Sequence, residues 1–341
     1  MTRTQPAYLL ENVTHFYGNK KVLDIAHLAI AKGSITGLLG PNGSGKSTLL
    51  KLLAFAMRPA FGKIFFNGRR EYPFSPNIRS RVTLVTQKPY LLRRTVYENI
   101  AYGLQIRRDT TDMQTRIRRA LAGVGLTYEG FAHRQWHALS GGEAQRVAMA
   151  ARLILKPRVL LLDEPVASVD AQSAALIRQA ALAARKNWGT TLVIASHDLA
   201  WLFDCSDTQI SISNGTLFST GMEIIIPSPY TTGTQMLSKT LEDGQCIVLP
   251  PATRPGKTAV IQREKIHLAT GRQPDKRYDN QIKALIQSMH MTGKQQKIMT
   301  TIAVPEMTFM LGLDPELTGS LSLQPGKEVF LMFRSQDIVW R

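Results

Sequence analysis

Residues Gly40-Pro41-Asn42-Gly43-Ser44-Gly45-Lys46-Ser47-Thr48 fit the pattern G-x-x-x-x-G-K-[ST], a set of residue types suited to a polyphosphate. Glycines let backbone N–H groups close around a β-phosphate, and a following helix N-terminus favours the anion. The lysine then reaches the β- and γ-phosphates, and the Ser47 hydroxyl offers Mg²⁺ a hard oxygen ligand. The bland alternative is a glycine-rich turn with an exposed lysine. An apolar run before the loop and a helical pattern after it favour phosphate.

Val159 to Leu162 runs into Asp163-Glu164, an apolar segment ending in two carboxylates. Alone, such a segment is most often a strand followed by a solvated acidic turn. Beside a phosphate loop, one carboxylate suits Mg²⁺ and its neighbour suits polarisation of an attacking water. His197 follows the apolar run Thr191 to Ala195, where a lone histidine is usually structural, so its role depends on the other motifs. Leu139-Ser140-Gly141-Gly142-Glu143 has capping-box spacing, which by itself means only a helix start. Two consecutive glycines exceed what a cap requires and would open the helix N-terminus to a second anion.

These groups need a scaffold that brings distant loops together. Over the first 220 or so residues, short apolar runs alternate with helical patterns, which predicts an α/β sheet domain. Ser34 to Gly40 reads as a strand feeding a helix through Leu49, Leu50, Leu52 and Leu53, and further strands are expected at 82–85, 159–162 and 191–195. From about Ile224 the texture changes. Pro227, Pro229, Pro250, Pro251 and Pro255 punctuate the chain, and Ile282-x-Ala284-x-Ile286 and Val329-x-Leu331-x-Phe333 alternate at period two. Met291-Thr-Gly-Lys is expected to turn between strands, and 241–341 to form a small β-rich domain.

Composition bounds the reading. With 341 residues, 44% hydrophobic and 20% charged, the chain suits two domains or one domain with a sizeable appendage and is not broadly disordered. No apolar run approaches the ~20 residues of a membrane-spanning helix, and none near the N-terminus resembles a secretory signal, so the chain is expected to remain in the cytosol. Cys205 and Cys246 offer no disulfide framework and are expected to be small core residues. Lys and Arg number 42 against 25 Asp and Glu, a net charge of +17. Residues 69–119 alone carry 12 basic and 4 acidic side chains, a field suited to nucleic acid, an anionic membrane surface or an acidic protein.

Taken in order, these motifs resemble those of the ATP-binding subunits of ABC importers over about residues 7–225. Gln87, in Val85-Thr-Gln-Lys-Pro, occupies the position of the family's Q-loop glutamine, and Ser168-Val-Asp170 that of the loop linking two subunits. Tyr17 matches the aromatic on which adenine stacks, with Phe16 a neighbouring candidate. The resemblance implies a P-loop ABC nucleotide-binding domain with a helical subdomain over 1–225. Residues 226–256 would then be a linker and the start of a β domain, and 257–341 a small C-terminal β-barrel-like (TOBE/Mop-like) regulatory domain. It implies ATP and Mg²⁺ as ligands, with Glu164 as base, His197 and Gln87 catalytic, and Ser47, Gln87 and Asp163 around the metal. Nucleotide contacts would come from Tyr17, residues Gly40 to Thr48, and Ser140, Gly141, Gly142 and Asp170. A head-to-tail homodimer is implied, peripheral to the cytoplasmic face of the inner membrane, driving a separate permease served by an extracytoplasmic binding protein. Gln87 and the basic segment would face that permease, although many of those side chains need be no more than solvated surface.

The C-terminal segment resembles molybdate-binding modules more loosely. Asn280-Gln-Ile-Lys-Ala284-Leu-Ile286 and Phe333-Arg334-Ser335-Gln-Asp-Ile338 carry that likeness, but Arg277 stands where a serine is usual and Ala284 where a glycine is usual. Arg334, Ser335 and Asn280 are the candidate oxyanion contacts, with Arg277 a substitute for the serine. Leu91 to Asn99, with the single β module, most resembles tungstate importer ATPases, ahead of molybdate. Sulfate, polyamine, sugar or iron import are the alternatives within transport. A nucleic-acid-associated ABC ATPase suits the charge, but the chain has one cassette and no long coiled-coil insertion, so no nucleic acid is expected. A non-catalytic oxyanion sensor would leave the ATPase motifs unexplained.

Overall fold

A computed structural model describes residues 5–75, 78, 80–167, 169–213, 215–219, 223–232, 236–251, 258–273, 277–291 and 297–340. The chain divides into two units, Met1–Phe218 and Ser219–Arg341.

The strands of the first unit are β1 (Tyr8–Tyr17), β2 (Lys20–Ile30), β3 (Ile35–Leu39), β4 (Phe61–Phe66), β5 (Arg69–Arg70), β6 (Val82–Val85), β7 (Val159–Asp163), β8 (Thr191–Ala195), β9 (Thr208–Ser213) and β10 (Thr216–Ser219). They form one sheet in the order β5-β4-β1-β2-β10-β9-β3-β8-β7-β6. The stretch β9-β3-β8-β7-β6 is parallel, whereas β1, β2, β4 and β5 pair antiparallel. Every residue of β3, β7 and β8 is buried, the consequence of covering a parallel sheet on both faces. Alternate residues serve opposite cores: Leu160, Leu162, Leu192 and Ile194 on one face, Val159, Leu161, Val193 and Ala195 on the other.

Seven helices are described in this unit: α1 (Lys46–Leu53), α2 (Val96–Ile106), α3 (Met113–Ala122), α4 (Tyr128–Phe131), α5 (Gly141–Leu153), α6 (Ala171–Trp188) and α7 (Leu199–Cys205). α1 places Leu49, Leu50, Leu52 and Leu53 in one core, and α2, α3 and α5 contribute Ile100, Ile117, Val147 and Ala151 to the other. Capping boxes set the starts of α2 (Thr95 with Glu98) and α5 (Ser140 with Glu143). Among the described residues no helix is long and apolar enough to cross a membrane.

In the second unit lie β11 (Glu223–Ile226), β12 (Thr231–Thr232), β13 (Leu237–Thr240), β14 (Cys246–Leu249), β15 (Ala259–Gln262), β16 (His267–Ala269), β17 (Asn280–Met291), β18 (Ile298–Val304), β19 (Met307–Leu313), α8 (Pro315–Ser320), β20 (Glu328–Phe333) and β21 (Ile338–Trp340). They make three sheets, β11-β15-β21, β12-β13-β14 and β16-β20-β17-β18-β19, around one core. The period-two alternation places Ile282, Ala284 and Ile286 of β17 and Val329, Leu331 and Phe333 of β20 in that core. β17 and β18 pair from Met291↔Ile298, and the turn expected after Met291 lies outside the described residues. Residues 226–256, expected to be a linker and the start of a β domain, include the small sheet β12-β13-β14. Cys246 corrects an expectation. Cys205 is buried, but Cys246 is exposed, because β14 turns Ile247 and Leu249 inward and so puts Cys246 on the other face.

Candidate active site

The phosphate loop leaves β3 and enters α1 through Gly45, which is the N-cap at φ +112°. A Cβ at Gly45 would lie 2.7 Å from Leu23 Cδ2, and one at Gly40 (φ +144°) 2.2 Å from the Ile212 carbonyl oxygen, so neither position admits a side chain. Buried Lys46 donates through Nζ to the carbonyl oxygens of Gly40 (2.6 Å) and Pro41 (3.0 Å), which fixes its charge inside the loop. Burial lowers its pKa below the ordinary lysine value, opposed by the nearby carboxylates of Glu164 and Asp163.

Sheet register brings the remaining groups to this loop. Leu38 of β3 pairs with Ala195 of β8, and Ala195 with Asp163 of β7, so three parallel strands end level and release their loops on one side. Ser47 Oγ therefore donates to Asp163 Oδ1 at 3.0 Å across 116 residues of sequence. Glu164 turns sharply off β7 at φ +48°, its N–H bonded to the Ala195 carbonyl at 2.9 Å. That turn sends its carboxylate across the end of β8. The His197 backbone N–H donates to Glu164 Oε2 at 3.0 Å, and His197 Nε2 lies 3.2 Å from Glu164 Oε1. Asp163 and Glu164 are both buried.

Lys46, Ser47, Asp163, Glu164 and His197 line one cavity of about 470 Å³, together with Tyr17, Asn42, Gly43, Gly45, Thr48 and Gln87. Tyr17 lies on this wall and Phe16 does not, which separates the two candidate aromatics. Gly40, Pro41 and Ser44 belong to the loop behind that surface, with Ser44 buried. Sequence reasoning missed Lys20, Lys21, Val22 and Gly215 on the wall. The paired lysines just after the aromatic were a legible signal. Gly215 was not, since only the fold brings its N–H to the Ser44 carbonyl at 3.2 Å. Gln145 was missed too: from α5, it donates to the Thr86 carbonyl at 3.1 Å, tying that helix to the residue before Gln87.

The residues of the second motif lie elsewhere. Ser140, Gly141, Gly142 and Asp170 are absent from the lining of this cavity. Ser140 caps α5 and is exposed, as is Gly141. Asp170 caps α6, accepting from the Ser173 N–H (2.8 Å) and hydroxyl (2.7 Å), bonds that hold its pKa below the ordinary carboxylate value. Gly142 packs against that cap, where a Cβ would lie 2.6 Å from Ser173 Oγ and 2.8 Å from Asp170 Oδ2. The starts of α5 and α6 are thus locked together, and Asp170 is a helix cap in this chain. Ser168 lies outside the described residues.

The candidate oxyanion contacts of the second unit already have internal partners. Asn280 is buried and bonds both the N–H (2.7 Å) and the carbonyl (3.0 Å) of Val248. The Ser335 N–H donates to Asp279 Oδ1 at 2.7 Å, and its hydroxyl donates to Asp279 Oδ2. Arg334 pairs with Asp337 through Nε at 2.8 Å and Nη2 at 2.9 Å. These residues pin a strand and a turn.

The family model described as ABC transporter matches residues 23–167. The tungstate uptake system ATP-binding protein TupC of Peptoclostridium acidaminophilum is 35% identical over 207 residues, which are 60% of this chain and 94% of that protein. The chain belongs to the ABC transporter family. Its first unit is an ATP-binding domain homologous to those of transporter ATPases. The spermidine/putrescine import ATP-binding protein PotA of Mesoplasma florum is 36% identical over 213 residues, 62% of this chain and 60% of that protein. The iron(III) import ATP-binding protein FbpC of Escherichia coli is 36% identical over 215 residues, 62% of this chain and 61% of that protein. The chain thus matches about three fifths of the length of these last two relatives. Among solved structures, the ATP-binding cassette MJ0796, a dimer in a post-hydrolysis state with ADP and Pi, aligns with TM-score 0.57 and 26% identity, over 62% of this chain and 98% of that one.

Proposed function

We propose that this ABC protein hydrolyses ATP in the cavity at the carboxyl ends of β3, β7 and β8, and that hydrolysis drives import through a separate permease. The observation that carries the reading is the convergence of Lys46, the Ser47–Asp163 pair, and Glu164 with His197 on one cavity. The loop N–H groups and Lys46 hold the β- and γ-phosphates, and Tyr17 offers a face for adenine. Glu164 is the base: it takes a proton from the attacking water as the new oxygen–phosphorus bond forms and the bond to the bridging oxygen breaks, leaving ADP and phosphate. His197 faces the γ-phosphate. Ser47 and Asp163 are hard oxygen donors 3.0 Å apart on the cavity lining, a set that fits Mg²⁺, and Gln87 lines the same cavity. When bound, Mg²⁺ would neutralise phosphate charge.

The helix start at Ser140 and Gly141 is exposed and away from its own cavity. That placement supports a head-to-tail homodimer in which it meets the ATP of the second copy. We place the protein on the cytoplasmic face of the membrane, with Gln87 and the basic segment toward the permease, which an extracytoplasmic binding protein would supply. For cargo the reading is an oxyanion, tungstate ahead of molybdate, supported by the 35% identity to TupC. Polyamine or iron is the second reading, favoured by PotA and FbpC at 36% identity. The C-terminal unit is read as regulatory.

The decisive experiment on the chemistry is Glu164→Gln, which keeps size and the Asp163 contact but removes the base. Steady-state phosphate release should vanish while ATP is still bound. Near-normal turnover by the variant would refute the assignment.

A further inference from the structure

Asn42 belongs to the phosphate loop, yet its side chain reaches across to a different strand end. Its Oδ1 lies 2.9 Å from His197 Nε2, across 155 residues of sequence. Glu164 Oε1 lies 3.2 Å from the same nitrogen. An unprotonated Nε2 would turn its lone pair on the Asn42 amide oxygen, whereas an Nε2–H donates to it. The His197 side chain is otherwise loosely held, at 54% exposure, so nothing in its packing alone fixes the ring. Its backbone N–H anchors the loop to Glu164 but does not itself orient the imidazole.

We propose that Asn42 is a positioning residue for ATP hydrolysis: its amide oxygen holds His197 Nε2–H over the phosphate cavity, beside Glu164. The inference rests on the assignment of hydrolysis to this cavity. When ATP enters, a γ-phosphate oxygen takes over as acceptor and the donor needs no reorientation, so alignment is present before the chemical step. The P-loop backbone and Lys46 do not depend on the Asn42 side chain to hold phosphate. Its loss should therefore act on turnover rather than on affinity.

The test is a double-mutant cycle on the full chain, with Asn42→Ala, His197→Gln and the combination. kcat and KM for ATP would be measured, and single-turnover rates with excess protein would resolve the slow variants. Asn42→Ala should lower kcat about tenfold with KM within twofold of the parent. In the His197→Gln background the same substitution should change kcat less than twofold, because the residue it acts through is already altered. An equal loss in both backgrounds, or a loss confined to KM, would overturn the proposal and make Asn42 an ordinary phosphate contact. Glu164→Gln in parallel separates the two readings: if that variant turns over normally, the site assignment itself fails, whereas an inactive Glu164→Gln with no coupling between Asn42 and His197 removes only the positioning role.

Discussion

At the scale of single residues, the cavity distinguishes neighbours that the sequence could not. Tyr17 and Phe16 are adjacent aromatics in β1, and both are exposed, at 49% and 37%. Only Tyr17 lines the cavity, because side chains alternate along a strand. Tyr17→Ala should weaken ATP binding about tenfold, in line with base–aromatic stacking worth roughly 1–3 kcal/mol. Phe16→Ala should leave it within twofold. Calorimetric titration with ATP checks both, and the reverse order would move the adenine contact to Phe16. The chemistry at Lys46, Ser47, Asp163 and Glu164 was legible because each sits in a short local pattern. The left-handed turn at Glu164 and the reach of Asn42 to His197 were not, since both depend on how strands far apart in sequence end beside each other. Asp170 adds a role that its position in the motif did not announce: it accepts from Ser173 as a helix cap.

At the scale of elements, the continuous apolar runs gave away β3, β7 and β8, because parallel strands covered on both faces need no polar side. β1 and β2 are long antiparallel strands with mixed faces, and their patterns are correspondingly weaker. In the second unit the two clearest alternations are β17 and β20, which pair directly. Short strands such as β12 and β13 fall in a proline-punctuated stretch that reads as linker. Asn280 illustrates how such a unit is pinned. Buried at the start of β17, it satisfies both backbone groups of Val248 in β14. Asn280→Ala should destabilise the second unit by about 1–3 kcal/mol, the cost of leaving buried backbone groups unpaired. Urea unfolding of the full chain measures this, and an unchanged midpoint would contradict a pinning role.

At the scale of the whole molecule, the charge excess is concentrated in the first unit. Residues 1–240 carry 29 basic and 15 acidic side chains, against 13 and 10 in the remainder. Several of these basic side chains have internal partners: Arg116 pairs with Asp109, Arg118 with Glu129, and Arg107 donates to the carbonyls of Leu155 and Ser80. Arg93 and Arg94 remain exposed next to the segment that carries Gln87. The central claim, however, concerns two copies. One cavity holds the phosphate loop, Glu164 and His197, and in the proposed dimer the exposed helix start at Ser140 would complete it from the partner. Light scattering coupled to size-exclusion chromatography of Glu164→Gln in ATP and Mg²⁺ tests this most directly. The account predicts a species of twice 37.9 kDa retaining about one ATP per chain, a tight complex because ATP bridges both surfaces. ATP retained by a species of 37.9 kDa would contradict it.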